Sequence, residues 1–229
     1  MRHPCYALLA VLVVALCASP AAAADGPRAD SGAIVTPSNG HELALWHKTF
    51  LEMPAAVNPL WGTGDDPCVR FGPGGKLLSA IVGVPFGEVT CTAELGTVLT
   101  TGAGHFCSTF DFDLDSDFYA VGRREQRICA QAVSPETGVR VTVDGHTVDI
   151  FRPQFTSFSP QTTVQLPADN VFQDVAQTAT ITAYGWHANV RNLRLGRHLI
   201  TTEIDVDGET YPFDHIINIV PRSNSDDDN

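Results

Sequence analysis

Short runs of β-branched and apolar residues alternate with turn residues along most of the chain, and this pattern limits it to an all-β fold. The clearest signals are two Asp-Gly dipeptides, each flanked by alternating residues, at Asp144 and Asp207. An Asp-Gly pair in this setting is typical of a tight β-hairpin because both turn positions need a positive φ. The sequence therefore predicts hairpins over residues 139–151 and 198–220.

Further strands are predicted wherever a similar run lies between Gly- or Pro-containing turns. These runs are 77–84, 89–93, 98–101, 106–112, 127–133 and 178–186. Strands at this spacing, with a single helix among them, favour a two-sheet antiparallel β-sandwich of the immunoglobulin-like or jelly-roll-like kind.

One short helix is predicted near the start of the domain. Asn39 can cap it and Glu42, three residues later, completes a capping box. Leu43, Trp46 and Phe50 recur at helical spacing and give the helix one apolar face. Pro54 is expected to end it.

The first residues have the three parts of a secretory signal peptide. Arg2 precedes an apolar run that is too short to span a bilayer, and small residues at 22–24 form a cleavage site. The predicted organisation is a signal peptide (1–24), a flexible lead (25–40), one β-sandwich domain (41–222) and a disordered acidic tail (223–229). The alternative is an uncleaved N-terminal anchor. We expect a protein that is secreted or associated with the cell surface, with no membrane span after cleavage.

Four cysteines remain once the signal peptide is removed: Cys68, Cys91, Cys107 and Cys129. An even set in an exported domain indicates two disulfides. Three pairings are open, and we favour Cys68–Cys91 and Cys107–Cys129 because neighbouring cysteines on adjacent strands need the least rearrangement of the chain. A zinc site with four cysteine ligands is the alternative, but it usually needs closely spaced pairs that this sequence lacks.

The chain is acidic, with 26 Asp and Glu against 14 Lys and Arg and a formal net charge of −12. Loss of Arg2 with the signal peptide makes the mature chain one unit more negative. Such a chain repels phosphate backbones and anionic lipids, so nucleic acid is not an expected partner.

An acidic stretch supplies the one metal hypothesis. Asp111, Asp113, Asp115 and Asp117 occupy alternate positions and offer the oxygen ligands that calcium prefers. Residues 116 and 122 are not the Gly and Glu that an EF-hand loop requires. On a strand the four side chains would share one face. The competing interpretation is therefore a solvated acidic strand edge that blocks edge-to-edge pairing with another sheet. No other cofactor is expected.

Catalytic motifs are not recognisable in the sequence. It has no G-x-S-x-G elbow, no H-E-x-x-H motif and no phosphate-binding loop. If both disulfides form, no mature cysteine is left as a nucleophile. Paired carboxylates of the glycosidase kind stay open because their signature is a distance in space.

Aromatic residues give a second candidate site. Trp61 lies in a Gly-rich loop and is the ligand-binding candidate, with Trp46, Trp186, Tyr184 and Phe158 as further members of a sugar-stacking platform. Core packing is the competing interpretation, and we favour it for Trp46 and Trp186.

The order of several residues resembles a family of uncharacterised secreted bacterial proteins. They share a W…P-A-x-x-N-P…C…G…C…C…C…D-G…R layout, here Trp46, residues 54–59, the four cysteines, Gly74, Asp144-Gly145 and Arg152. The resemblance covers roughly residues 44–220 and implies the disulfides and an exported sandwich, but no activity or catalytic residue. Residues 94–99 depart from it, since members tend to be aromatic-rich there.

These observations favour a secreted, non-catalytic module that binds an unidentified extracellular ligand or protein. A secreted hydrolase would be indicated instead if the fold brought two carboxylates, or a serine and a histidine, together in a cleft. A calcium-stabilised structural module is the third hypothesis.

Overall fold

The structure is a computed structural model that describes residues 32–59, 66–80 and 88–222. The predicted signal peptide, Trp61 and the acidic tail lie outside the described residues. None of the helices in the described ranges is long and apolar enough to cross a bilayer.

The described residues form two α-helices and two β-sheets. The helices are α1 (Gly40–Leu51) and α2 (Arg123–Ala132). The strands are β1 (Ile34–Pro37), β2 (Cys68–Phe71), β3 (Leu77–Ala80), β4 (Val89–Glu94), β5 (Val98–Ser108), β6 (Glu136–Val143), β7 (His146–Asp149), β8 (Thr156–Phe158), β9 (Thr162–Leu166), β10 (Gln177–Arg191), β11 (Gly196–Val206) and β12 (Glu209–Val220).

The strands make one sheet around β10 and a second around β11. Sheet A has the order β1-β10-β5-β3-β2, and β8 and β9 also pair with β10. Sheet B has the order β4-β12-β11-β6-β7. Each sheet is antiparallel except for one parallel pair, β3 with β5 in sheet A and β4 with β12 in sheet B. The predicted two-sheet β-sandwich with a short N-terminal helix and two disulfides is confirmed.

The main core lies between the two sheets. It joins Leu99 and Val190 of sheet A to Val141, Ile200 and Ile217 of sheet B. Even-numbered residues of β10 from 184 to 190 point into this core. The period of two along a strand therefore defines an inner face of sheet A, and the odd-numbered residues of β10 form its outer face.

Helix α1 covers the outer face of sheet A. Leu51 of α1 packs with Val164 of β9 and with Ala179 and Ile181 of β10. The predicted capping box is present: Asn39 Oδ1 accepts the Glu42 N–H at 3.0 Å, and Glu42 Oε2 accepts the Asn39 N–H at 3.2 Å. The helix ends at Leu51, before Pro54.

Both predicted hairpins are confirmed. Asp144 and Asp207 have φ values of 49° and 53°, and each is followed by a glycine with positive φ. The turns connect β6 to β7 and β11 to β12. The turn residues thus account for the register of two of the four strand pairings in sheet B, β6 with β7 and β11 with β12.

The predicted strand over residues 127–133 is wrong, because this segment lies in α2. Helix-forming residues precede it, and Gln126 and Ala130, four apart, are its buried positions. A short window around Ile128 does not reveal this spacing. Helix α2 packs on the inner face of sheet A, where Gln126 Nε2 donates to the Thr180 carbonyl at 2.9 Å.

Strand β5 joins two segments that we predicted as separate strands. Gly102 and Gly104 do not interrupt it, because they allow a close approach to β10. A Cβ atom on Gly104 would lie 2.4 Å from the Tyr184 carbonyl oxygen. The predicted strand over 106–112 ends at Ser108, and Ile34–Pro37, expected in the flexible lead, forms β1 because its β-branched residues pair with β10.

The predicted disulfide pairing is confirmed, but the elements it joins differ from those expected. Cys68–Cys91 links β2 of sheet A to β4 of sheet B, with Cα atoms 5.6 Å apart. Cys107–Cys129 links β5 to α2, with Cα atoms 5.9 Å apart. The first bond therefore ties the two sheets together, and the second holds α2 on the inner face of sheet A.

Candidate functional site

The four aspartates of the acidic stretch lie in turns and not on a strand, contrary to the geometry we expected. Asp111 and Asp113 belong to one 3-10 turn, and Asp115 and Asp117 follow it. Asp113 accepts from the hydroxyls of Ser108 at 2.5 Å and Ser116 at 3.4 Å. Burial raises the pKa of Asp113, and these hydrogen bonds oppose the rise.

The carboxylates of this stretch do not converge. Within the described residues, no three His, Cys, Asp or Glu side chains are placed as ligands of one metal ion. Asp113 instead closes its own turn through the two serines. The calcium hypothesis stays a prediction, with a melting experiment to test it.

The aromatic platform is divided between the two faces of sheet A. Trp46 lies on the outer side, where its Nε1 donates to Ser79 Oγ at 2.9 Å and its ring packs on Phe50. Trp186 lies on the inner face and is 8% exposed. These two tryptophans therefore cannot form one surface with each other.

Four histidines of the described residues are buried: His47, His187, His198 and His215. His198 bridges Asp144 Oδ2, at 2.7 Å, and the Arg194 carbonyl, so it fastens the first hairpin turn to β11. His47 and His187 lie between α1 and the outer face of sheet A, and His47 Nδ1 lies 3.0 Å from the Leu43 carbonyl. Burial lowers the pKa of His47 to about 4 and that of His187 to about 3.

A different cluster on the inner face of sheet A brings together an acid, a histidine and a phenol. His105 of β5 is the cross-strand partner of Tyr184 of β10, so both side chains share this face. Glu136, the first residue of β6, approaches them from sheet B, and its Oε1 lies 3.1 Å from His105 Nε2. We call His105, Glu136 and Tyr184, with the neighbouring ring of Phe118, the Glu136 site.

The Glu136 site lies at a boundary on the inner face of sheet A. On one side of this boundary α2 packs on sheet A, and on the other side sheet B packs on it. On β10, Thr182 still contacts Gln126 of α2, whereas Ala188 packs against sheet B. Tyr184 stands between these two regions. Helix α2 ends at Ala132 and β6 begins at Glu136, so the position of the helix end determines where the Glu136 carboxylate lies.

Burial is uneven across the site. The Glu136 side chain is 3% exposed and the His105 side chain is 37% exposed. Glu136 Oε2 is buried and has no hydrogen-bond partner among the described residues. Burial, and then the negative charge of Glu136, raise the pKa of Tyr184. Solvent therefore contacts the His105 side chain, whereas the Oε2 atom of Glu136 is buried.

Aromatic rings contact the other two members of the site, Tyr184 and His105. Tyr184 contacts the Phe158 ring with centroids 4.6 Å apart and the Trp186 ring at 5.3 Å. The His105 and Phe118 rings are 6.4 Å apart. The Arg127 guanidinium of α2 lies 3.9 Å from the centroid of Phe158. This arrangement offers a hydrogen-bond acceptor in an apolar and aromatic environment.

The sequence pointed to only part of this cluster. Tyr184, Trp186 and Phe158 are platform candidates in the sequence, but no motif singles out Glu136, and His105 is one of eight histidines. No spacing rule joins these residues, because β5, β6 and β10 meet only through the fold. The one local signal is an acidic residue at the start of a strand that is otherwise β-branched.

Comparison of the chain with protein-family models, curated proteins and solved structures finds no match.

Proposed function

We propose that the protein is an exported, non-catalytic binding module that takes its ligand at the Glu136 site. The observation that carries this proposal is the buried Glu136 Oε2, which has no partner in the described part of the chain and is the carboxylate oxygen among the five buried side-chain atoms there that lack one. A buried carboxylate oxygen without a donor is costly to the fold. Such a group calls for an explanation, and a ligand that supplies the missing donor is the one proposed.

Two further features support binding over catalysis. Among the described residues, no Ser, Thr or Cys side chain is hydrogen-bonded to His105, so the histidine has no nucleophile to activate there. Glu203 and Asp205 do lie together, but Arg140 joins them on the outer face of sheet B. Neither arrangement matches the carboxylate pair or the Ser–His pair of a hydrolase.

Export rests on the predicted signal peptide and agrees with the disulfides. Two closed disulfides are typical of proteins outside the cytoplasm.

The binding proposal is tested with four single-ring compounds that differ in their polar group: benzylamine, benzyl alcohol, benzamide and benzoate. Each is titrated into the mature protein while NMR follows the His105 ring and the Trp186 indole. We expect at least one compound to shift both signals, and the Trp46 indole on the opposite face of the sheet to stay unchanged. Absence of any shift with all four, or shifts centred on Trp46, would refute the proposal.

The carboxylate–histidine pair also favours the hydrolase alternative in one respect, because a carboxylate commonly orients a catalytic histidine. Phenyl acetate hydrolysis distinguishes the two functions. Binding without catalysis predicts equal rates for the wild type and His105→Gln. A rate that falls to the buffer background in His105→Gln would establish the hydrolase.

A further inference from the structure

We infer that the ligand of the Glu136 site carries an organic ammonium group, an inference that rests on the proposed function. The carboxylate has one oxygen facing His105 and one oxygen without a partner among the described residues. Hydrogen bonds from charged donors to a carboxylate are roughly twice as strong as neutral ones. An ammonium group therefore gains more at Glu136 Oε2 than a hydroxyl or an amide does.

The surrounding rings favour the same charge. Aromatic faces attract cations, and ammonium groups are commonly bound by several rings together. Arg127 already lies over Phe158, which contacts Tyr184. Tyr184 of this aromatic group shares the inner face of sheet A with His105, the partner of Glu136, and the described residues place no cation over the Tyr184 ring.

The charge of the whole molecule selects against the opposite ligand. The chain has a formal net charge of −12, so its field attracts cations and repels anions. At the site itself, an anionic group would face the buried carboxylate of Glu136. A carboxylate or phosphate ligand is therefore disfavoured both by the net charge of the chain and by the carboxylate of Glu136.

The direction of entry follows from the exposed side chains. His105 and Phe118 are each 37% exposed, whereas Glu136 is almost completely covered. A ligand therefore arrives past His105 and Phe118 and presents its ammonium group first. Its apolar part is left beside the exposed ring of Phe118, so an amine attached to an aromatic or aliphatic group fits best.

The test compares benzylamine with benzyl alcohol, which has the same ring and a neutral donor. Affinities are measured by NMR titration at neutral pH, where the amine is charged. We expect benzylamine to bind about tenfold more tightly, the ratio that a difference near 1.4 kcal/mol produces. This comparison uses the wild-type protein and does not depend on how any variant folds.

Two variants then locate the effect. Glu136→Gln keeps the side-chain shape and should reduce benzylamine affinity about tenfold while leaving benzyl alcohol little changed. Glu203→Gln is the matched control, since it removes the same charge from the outer face of sheet B and should preserve the preference. The spectrum of each variant checks that the fold is retained.

The outcomes separate this inference from the proposed function. Equal binding of benzylamine and benzyl alcohol at His105 and Trp186 would overturn the ammonium inference and leave the binding function standing. Loss of the preference in Glu203→Gln as well would also overturn the inference, because it would reduce the effect to overall charge. Absence of binding by all four compounds would refute both.

Discussion

Acid sensitivity should arise from three buried, neutral histidines, His47 and His187 beneath α1 and His215 on β12. In the folded protein, burial lowers the pKa of His47 and of His215 to about 4 and that of His187 to about 3, from a reference value of 6.5. Below pH 6.5 the unfolded chain binds protons that the folded chain does not, so the free energy of unfolding falls as the pH falls. The stabilisation is complete above pH 6.5 and is lost progressively as the pH approaches the folded values.

The size of the effect follows from these pKa differences. At pH 5 each histidine is almost fully protonated in the unfolded chain and almost fully neutral in the fold. Each therefore removes about 2 kcal/mol of unfolding free energy between pH 8 and pH 5, and the three together remove about 6 kcal/mol. This is a large share of the roughly 5–15 kcal/mol that stabilises an ordinary domain.

Urea unfolding of the mature, disulfide-intact protein at pH 8 and pH 5 measures the loss. His47→Gln, which keeps a donor for the Leu43 carbonyl, should reduce the difference between the two pH values by about 2 kcal/mol. His146→Gln, an exposed position on β7, is the control and should leave it unchanged. An identical pH dependence in wild type and His47→Gln would refute the reasoning.

Four other perturbations test the fold and the metal hypothesis. Replacing both cysteines of Cys107–Cys129 by serine should lower the free energy of unfolding by about 3 kcal/mol, and an unchanged urea midpoint would contradict the role assigned to this bond. Gly185→Ala should prevent folding or cost more than about 4 kcal/mol, because its Cβ would lie 2.2 Å from the Ala103 carbonyl oxygen. Gly208→Ala, whose Cβ meets nothing within 4 Å, should cost only about 1–2 kcal/mol for its positive φ, and similar urea midpoints for the two variants would be inconsistent with this difference. Calcium should raise the melting temperature relative to chelator if residues 111–117 bind it, and equal values would exclude that hypothesis.

The parts of the fold that sequence predicted well are those encoded by a few neighbouring residues. A positive φ at Asp144 and Asp207 is a property of the dipeptide, and the cap at Asn39 needs only a partner three residues away. Such features act over one turn of chain and hardly depend on tertiary contacts. They were sufficient to predict the two hairpins and α1.

The predictions that were wrong concern residues whose structural role depends on a segment distant in sequence. Gly102 and Gly104 look like strand breakers in sequence, yet they lie inside β5 because β10 approaches them closely. Gln126 is polar and looks like a surface residue, but it is buried because Thr180 and Thr182 of β10 satisfy its amide. In both cases β10 determines the environment of the residue, and the local sequence pattern carries no information about that strand.

Helix α2, which the sequence pattern does not predict, also bears on the Glu136 site. A strand over residues 127–133 would make the Cys107–Cys129 bond a link between two strands. With that segment helical, the same bond fixes α2 across the inner face of sheet A. The chain then leaves the helix at Ala132 and enters sheet B at Glu136, which places the carboxylate opposite His105. The disulfide therefore positions the acid of the Glu136 site, and its removal should weaken benzylamine binding even where the protein remains folded.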